Sequence, residues 1–124
     1  MIDWSIGSYE RTAAELDAVS EQVVEAAAVG PGDRVLDIAC GTGNAALKAA
    51  ARGADVLGVD LAARLVRVAA ERARAAGITS ARFVTGDAQD LPVPDASVDV
   101  ALSVFGLIFA PDQARAAAEV VRVL

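Results

Sequence analysis

Acidic residues stand at the ends of three apolar runs in this chain. Asp37 interrupts residues 34–39, Asp60 closes 54–59, and Asp87 follows 81–85 after a single glycine. Between the first two acids lies a two-glycine loop, Gly41 and Gly43, which leads into Asn44 and an alanine-rich run. Glycine lets the main chain take backbone angles that other residues resist and come close to a ligand. Unpaired N–H groups at the start of the next helix point into the same crevice. A strand, a glycine loop and a helix in this order are how an α/β domain holds a nucleotide-like ligand. The chain has no histidine and one cysteine, Cys40. Ser-His and Cys-His nucleophile pairs are therefore excluded, no metal site is expected, and chemistry must come from carboxylates, hydroxyls, main chain or a bound cofactor.

Each acid has a structural and a functional reading. A carboxylate near the end of a buried strand costs several kcal/mol without partners, so Asp37 is expected to brace the glycine loop, to meet a cationic ligand group, or both. Asp60 can cap a following helix over 61–76. It also stands about 20 residues past the loop, where an acid accepts from ribose hydroxyls. Asp87, with the N–H of Ala88, suits the edge of an adenine ring, or else Asp87 and Asp90 are solvated turn residues.

Residues 41–46, GTGNAA, also satisfy the Gly-x-Gly-x-x-Ala pattern of dinucleotide sites, so a nicotinamide or flavin enzyme is a competing reading. Charge separates the two. A diphosphate beside the loop would lie near Asp37, and two like charges about 4 Å apart repel by roughly 4 kcal/mol at an effective dielectric of 20. A ligand bearing ammonium and sulfonium groups is attracted instead.

The elements that must position these residues follow from periodicity. Leu16, Val19, Val23 and Ala27 recur at helical spacing, which predicts a helix over 8–28, with Trp4 and Tyr9 near its start as lid candidates. Strands are expected over 34–39, 54–59, 81–85 and 98–104, and helices over 44–52, 61–76 and 112–124. Near-continuously apolar strands alternating with helices imply a parallel, doubly wound sheet with right-handed crossovers.

Composition agrees with one such domain spanning residues 1–124. Apolar residues make up 55% of the 124 and aromatics 4%, giving an aliphatic core. The formal charge is −6, with no basic cluster, which argues against a nucleic-acid partner. No run is long enough to span a bilayer, and the N-terminus lacks the pattern of a secretion signal, so a cytoplasmic location is expected.

Four segments, VLDIACGTG at 35–43, GVDL at 58–61, GDAQDLP at 86–92 and VDVALS at 98–103, together resemble the class I S-adenosylmethionine-dependent methyltransferases. Within them the resemblance is to the small-molecule branch that includes ubiquinone and menaquinone methyltransferases. It implies a Rossmann-like sheet in strand order 3-2-1-4, S-adenosyl-L-methionine as cofactor and a small-molecule methyl acceptor. By position, Asp37, Ala39, Gly41 and Gly43 would hold the methionine portion, Asp60 the ribose, Leu61 an adenine face, and Asp87 with Ala88 the adenine edge. Ser103 to Phe105 would lie beside the methionine and the transferable methyl. Tyr9, Phe105 and Phe109 are the candidates for the acceptor wall, and no catalytic base is named. Ala39 stands where many members carry glycine. Members also continue past the last helix to a seven-stranded sheet, so the expectation is a truncated fold supplying the cofactor-binding half, with the fourth strand as an exposed edge open to self-association. A catalytically silent adenosyl-binding module is the third reading.

Overall fold

A computed structural model describes residues 3, 5–7, 11–12 and 15–124. The expected helix over 8–28 is described as α1, Asp17–Ala26, after a break at Leu16 where Val19 N–H reaches back only three residues to the Leu16 carbonyl. Tyr9 and Trp4 lie outside the described residues.

The strands β1 (Arg34–Ile38), β2 (Asp55–Asp60), β3 (Ala81–Thr85) and β4 (Val100–Leu102) form one parallel sheet in the order β3-β2-β1-β4. Helix α2 (Asn44–Ala51) joins β1 to β2, and α3 (Ala63–Ala75) joins β2 to β3. A loop joins β3 to β4, and a short 3₁₀ turn, Leu107–Phe109, leads to α4 (Gln113–Val123). This is the parallel sheet that the apolar runs predict, in the Rossmann-like strand order that the family resemblance implies.

The central strand explains why the sheet is covered on both faces. Side chains alternate along a strand, and Val35 packs in a core with the alanines of α2, Val24 and Val56, while Leu36 and Ile38 pack on the other side with Val59, Leu91, Val98 and Val123. Each fully buried aliphatic side chain of this kind contributes about 1.5–3 kcal/mol. Alanines on α2 let that helix lie close to the sheet, and Ala45, Ala46, Ala49 and Ala50 are all buried.

Most of the other boundaries shift by a single residue; the fourth strand and the start of α3 differ by more, each for a hydrogen-bonding reason. The fourth strand pairs only over Val100–Leu102, because Val98 N–H is taken by the Val123 carbonyl and the Ile38 carbonyl accepts from the Ser103 side-chain hydroxyl at 2.9 Å. Helix α3 starts at Ala63, not 61, because the chain first turns through Asp60 and Ala62. Among the described residues β4 has β1 as its only strand neighbour, and no helix is long and apolar enough to cross a membrane.

Candidate cofactor and acceptor cleft

The carboxyl ends of β1, β2 and β3 open on one crevice, the place where open α/β sheets bind ligands. It has three lobes that meet at Ala39. Asp60, Leu61, Gly86, Asp87, Ala88 and Phe109 line the first. The second is polar, with Ser20, Asp37, Thr42 and Asn44. The third is an apolar cavity of about 290 Å³, walled by Leu16, Leu65, Val104, Phe105, Ile108 and Phe109.

Asp60 and Asp37 divide the bracing work differently from the sequence expectation. Asp60 supports the glycine loop: its Oδ2 accepts from Gly41 N–H at 2.8 Å and its Oδ1 from Ala62 N–H at 2.9 Å. Asp60 is thus an Asx-type turn before α3, and the cap position itself is Ala62. A carboxylate has about four acceptor positions, so these two bonds leave room on both oxygens for hydroxyl donors. Asp37, 2% exposed, braces the start of α2 instead. Its Oδ2 accepts from Ala46 N–H at 3.0 Å, one of the N–H groups that a helix start leaves without a partner. Asp37 therefore serves as an acceptor cap for α2 from a neighbouring strand.

Burial pushes the Asp37 carboxyl up to about 7, the Ala46 N–H opposing and the nearby Asp60 charge adding to the rise. A cationic group entering the polar lobe would favour the ionised form. Cys40 lies beside both acids, and burial followed by their charge drives its thiol far above the usual range, so it stays protonated and is no nucleophile.

The glycine loop is held from outside as well. Arg72 on α3 donates from Nη1 to the Thr42 carbonyl at 2.8 Å and to Asn44 Oδ1 at 2.7 Å. Gly43 sits at φ +88, and a Cβ there would come 3.2 Å from Ala69 Cβ and 3.2 Å from the Phe83 ring. The left-handed backbone and the packing of the loop against α3 and β3 thus both require glycine at this position.

Ala39, Asp60, Leu61, Asp87 and Ala88 share one lobe, Asp37 lies in the next, and Phe105 and Phe109 line the third. Asp87 Oδ1 accepts from its own loop at Gln89 N–H, 2.9 Å away. Gly41, Gly43 and Ser103 act through the backbone and loop geometry rather than as lining groups. Ser103 Oγ both donates to the Ile38 carbonyl and accepts from Leu107 N–H at 3.1 Å, tying the 3₁₀ turn to the end of β1. Sequence reasoning missed Leu16, Leu65, Ile108, Gly106 and Arg72. Of these only Gly106, a lone glycine between large apolar residues, carries a local signal.

A family model described as a methyltransferase domain matches residues 35–124. The chain belongs to the class I S-adenosylmethionine-dependent methyltransferase family. This methyltransferase domain is 42% identical over 121 residues to an uncharacterised protein of Mycobacterium bovis, covering 97% of the chain and 44% of the relative. It is 36% identical to a demethylmenaquinone methyltransferase of Clavibacter sepedonicus, across 100% of the chain and 52% of that protein. Among solved structures, the [4+2]-cyclase SpnF superposes with a TM-score of 0.82 at 34% identity, over 87% of this chain and 41% of that one. The chain spans about half the length of the curated relatives it matches.

The donor set fits the cofactor that the family implies. Three acids border the crevice, Leu61 offers an apolar surface 50% exposed at its edge, and among the described residues neither Lys nor Arg lines any of the three lobes. That set suits a cationic nucleoside better than a diphosphate.

Proposed function

We propose that this chain supplies the S-adenosylmethionine-binding part of an enzyme that methylates a small, largely apolar acceptor. The observation that carries the reading is the meeting of an acid-bordered lobe, a polar lobe and an apolar lobe at Ala39. In it, Asp60 accepts from the ribose hydroxyls, Leu61 covers an adenine face, and Asp87 with Ala88 takes the adenine edge. Asp37, Thr42 and Asn44 receive the amino-acid end. Phe105, Ile108 and Phe109 form the wall for the acceptor, as expected of a mostly apolar ligand cavity.

When bound, S-adenosylmethionine supplies an electrophilic methyl group on a sulfonium sulfur. The chain's own contribution is orientation and exclusion of water. Asp60 is the one titratable side chain among the described residues lining the apolar lobe, and it is already committed to Gly41 and Ala62. Among the described residues this lobe therefore offers no side chain for the role of general base, which suits an acceptor whose nucleophilic atom is already deprotonated.

Calorimetric titration with S-adenosylhomocysteine and with NAD tests the cofactor assignment. Binding of the thioether with no response to NAD is expected, and the reverse would move the chain to the nicotinamide enzymes. The similarity to SpnF favours one further reading, an adenosyl pocket kept beside chemistry other than methyl transfer. Release of radiolabelled methyl groups to phenol, quinol and amine acceptors separates the two.

A further inference from the structure

The Ala39 methyl group stands close against Gly106 at the foot of the apolar wall. Ala39 adopts φ +58, the left-handed region that costs an alanine about 1 kcal/mol or more, and Phe105 adopts φ +58 as well. A Cβ placed on Gly106 would lie 2.3 Å from Ala39 Cβ and 3.0 Å from Ser103 Oγ. Gly106 itself has ordinary helical angles, φ −99 and ψ −51, so glycine is required there by space and not by conformation. Ala39 borders all three lobes, and Ser103 stitches the turn after Gly106 to β1 directly before Ala39.

We infer that Ala39 and Gly106 form a steric pair that sets the position of the Phe105–Phe109 wall, and so the size of acceptor that the apolar lobe admits. The inference rests on the lobe being the acceptor site. Ala39 is then a specificity-determining residue whose methyl is the stop against which the wall is seated. Putting a methyl on Gly106 pushes the wall off that stop, because two carbons cannot approach to 2.3 Å. Removing the Ala39 methyl takes away the stop, relaxes the left-handed strain and lets the wall shift. Removing one and adding the other relieves the 2.3 Å clash and leaves the Ser103 hydroxyl at 3.0 Å and the residue 39 carbonyl oxygen at 3.3 Å to give by a few tenths of an ångström.

The test uses the protein saturated with S-adenosylhomocysteine and a size series of neutral probes, phenol, 4-butylphenol, 1-naphthol and 9-phenanthrol, measured by equilibrium dialysis. For A39G and G106A, the affinity ratio of the largest to the smallest bound probe is expected to change by about tenfold, the effect of roughly one methylene in an apolar pocket. The doubly substituted A39G/G106A is expected to return most of the way to the wild-type ratio. Unchanged ratios in A39G, or a double variant no closer to wild type than G106A, would overturn the pairing. If G106A does not fold, recovery of folding in the double variant supports the steric pair, and failure of both overturns it. Wild-type protein that binds S-adenosylhomocysteine but none of the probes overturns the acceptor-lobe assignment, whereas absence of S-adenosylhomocysteine binding is a failure of the cofactor reading instead.

Discussion

Replacing Asp37 by asparagine probes the site through a charge the fold holds at some cost. Asparagine keeps an oxygen for the Ala46 N–H but removes the ionisable proton. The carboxyl moves from 3.8 to about 7 on folding, chiefly through burial. The native state therefore binds the proton more tightly than the unfolded chain, and stability must fall as pH rises through that window. Below 3.8 both states are protonated and the group contributes no difference, while above about 7 the full penalty is present. At about 1.4 kcal/mol per unit, the penalty is about 4 kcal/mol.

Urea denaturation at pH 4 to 8 on wild type and D37N gives the curve directly. The difference in unfolding free energy should favour the variant progressively up to neutrality and then level off. Asp99, held near 2 by Arg34, and Glu119, held near 2 by Arg122, lose their contributions as pH falls toward 2, on the other side of the window. They are also common to both proteins. Parallel wild-type and variant curves would refute the reasoning. In the presence of S-adenosylmethionine the ionised form is favoured, so wild type should release a fraction of a proton on binding at pH 6, read from the buffer dependence of the calorimetric heat, and D37N should not.

Asp60→Ala removes the acceptor for Gly41 and Ala62 together with the proposed ribose contact, and S-adenosylhomocysteine affinity should drop by at least about 1.5–3 kcal/mol in calorimetry. A loss of only a few tenths would leave Asp60 a purely local brace. Gly43→Ala meets both the positive φ and the 3.2 Å contacts with Ala69 and Phe83, and should cost about 1–3 kcal/mol of stability by chemical denaturation. Arg72→Ala frees Thr42 and Asn44 from outside, so it should weaken cofactor binding several-fold more than it lowers the melting temperature would suggest, with a purely thermal effect speaking against a loop-positioning role.

The strands and the identity of the cleft were legible because their signals are local, whereas the strand order followed from the family resemblance. An apolar run that both faces of a sheet must bury, a glycine pair at its end and an acid at the next strand end are all contiguous in sequence. The division of labour between the acids was not. That Asp60 rather than Asp37 takes the Gly41 N–H depends on how β1 and β2 lie side by side, with Asp37 opposite Gly58 and Ile38 opposite Val59, a register no single segment encodes. The same holds for Gly58, where a Cβ would come 2.6 Å from Phe83, a cross-strand neighbour 25 residues on in the register Gly58↔Phe83. Strand β4 was drawn too long because its apolar pattern runs on, while hydrogen bonds to Val123 and from Ser103 end the ladder early. Leu16, Leu65 and Ile108 carry no cavity signal in the sequence, since apolar residues that fill a core also line a cavity.

The most direct check on the whole account is a crystal structure of the protein with S-adenosylhomocysteine. The account predicts ribose hydroxyls against Asp60, adenine between Leu61 and the Asp87–Ala88 edge, and the amino-acid end in the lobe of Asp37, Thr42 and Asn44. Adenine density elsewhere with the acids facing solvent, or a co-crystallised dinucleotide with its diphosphate seated on the Gly41–Gly43 loop, would contradict it.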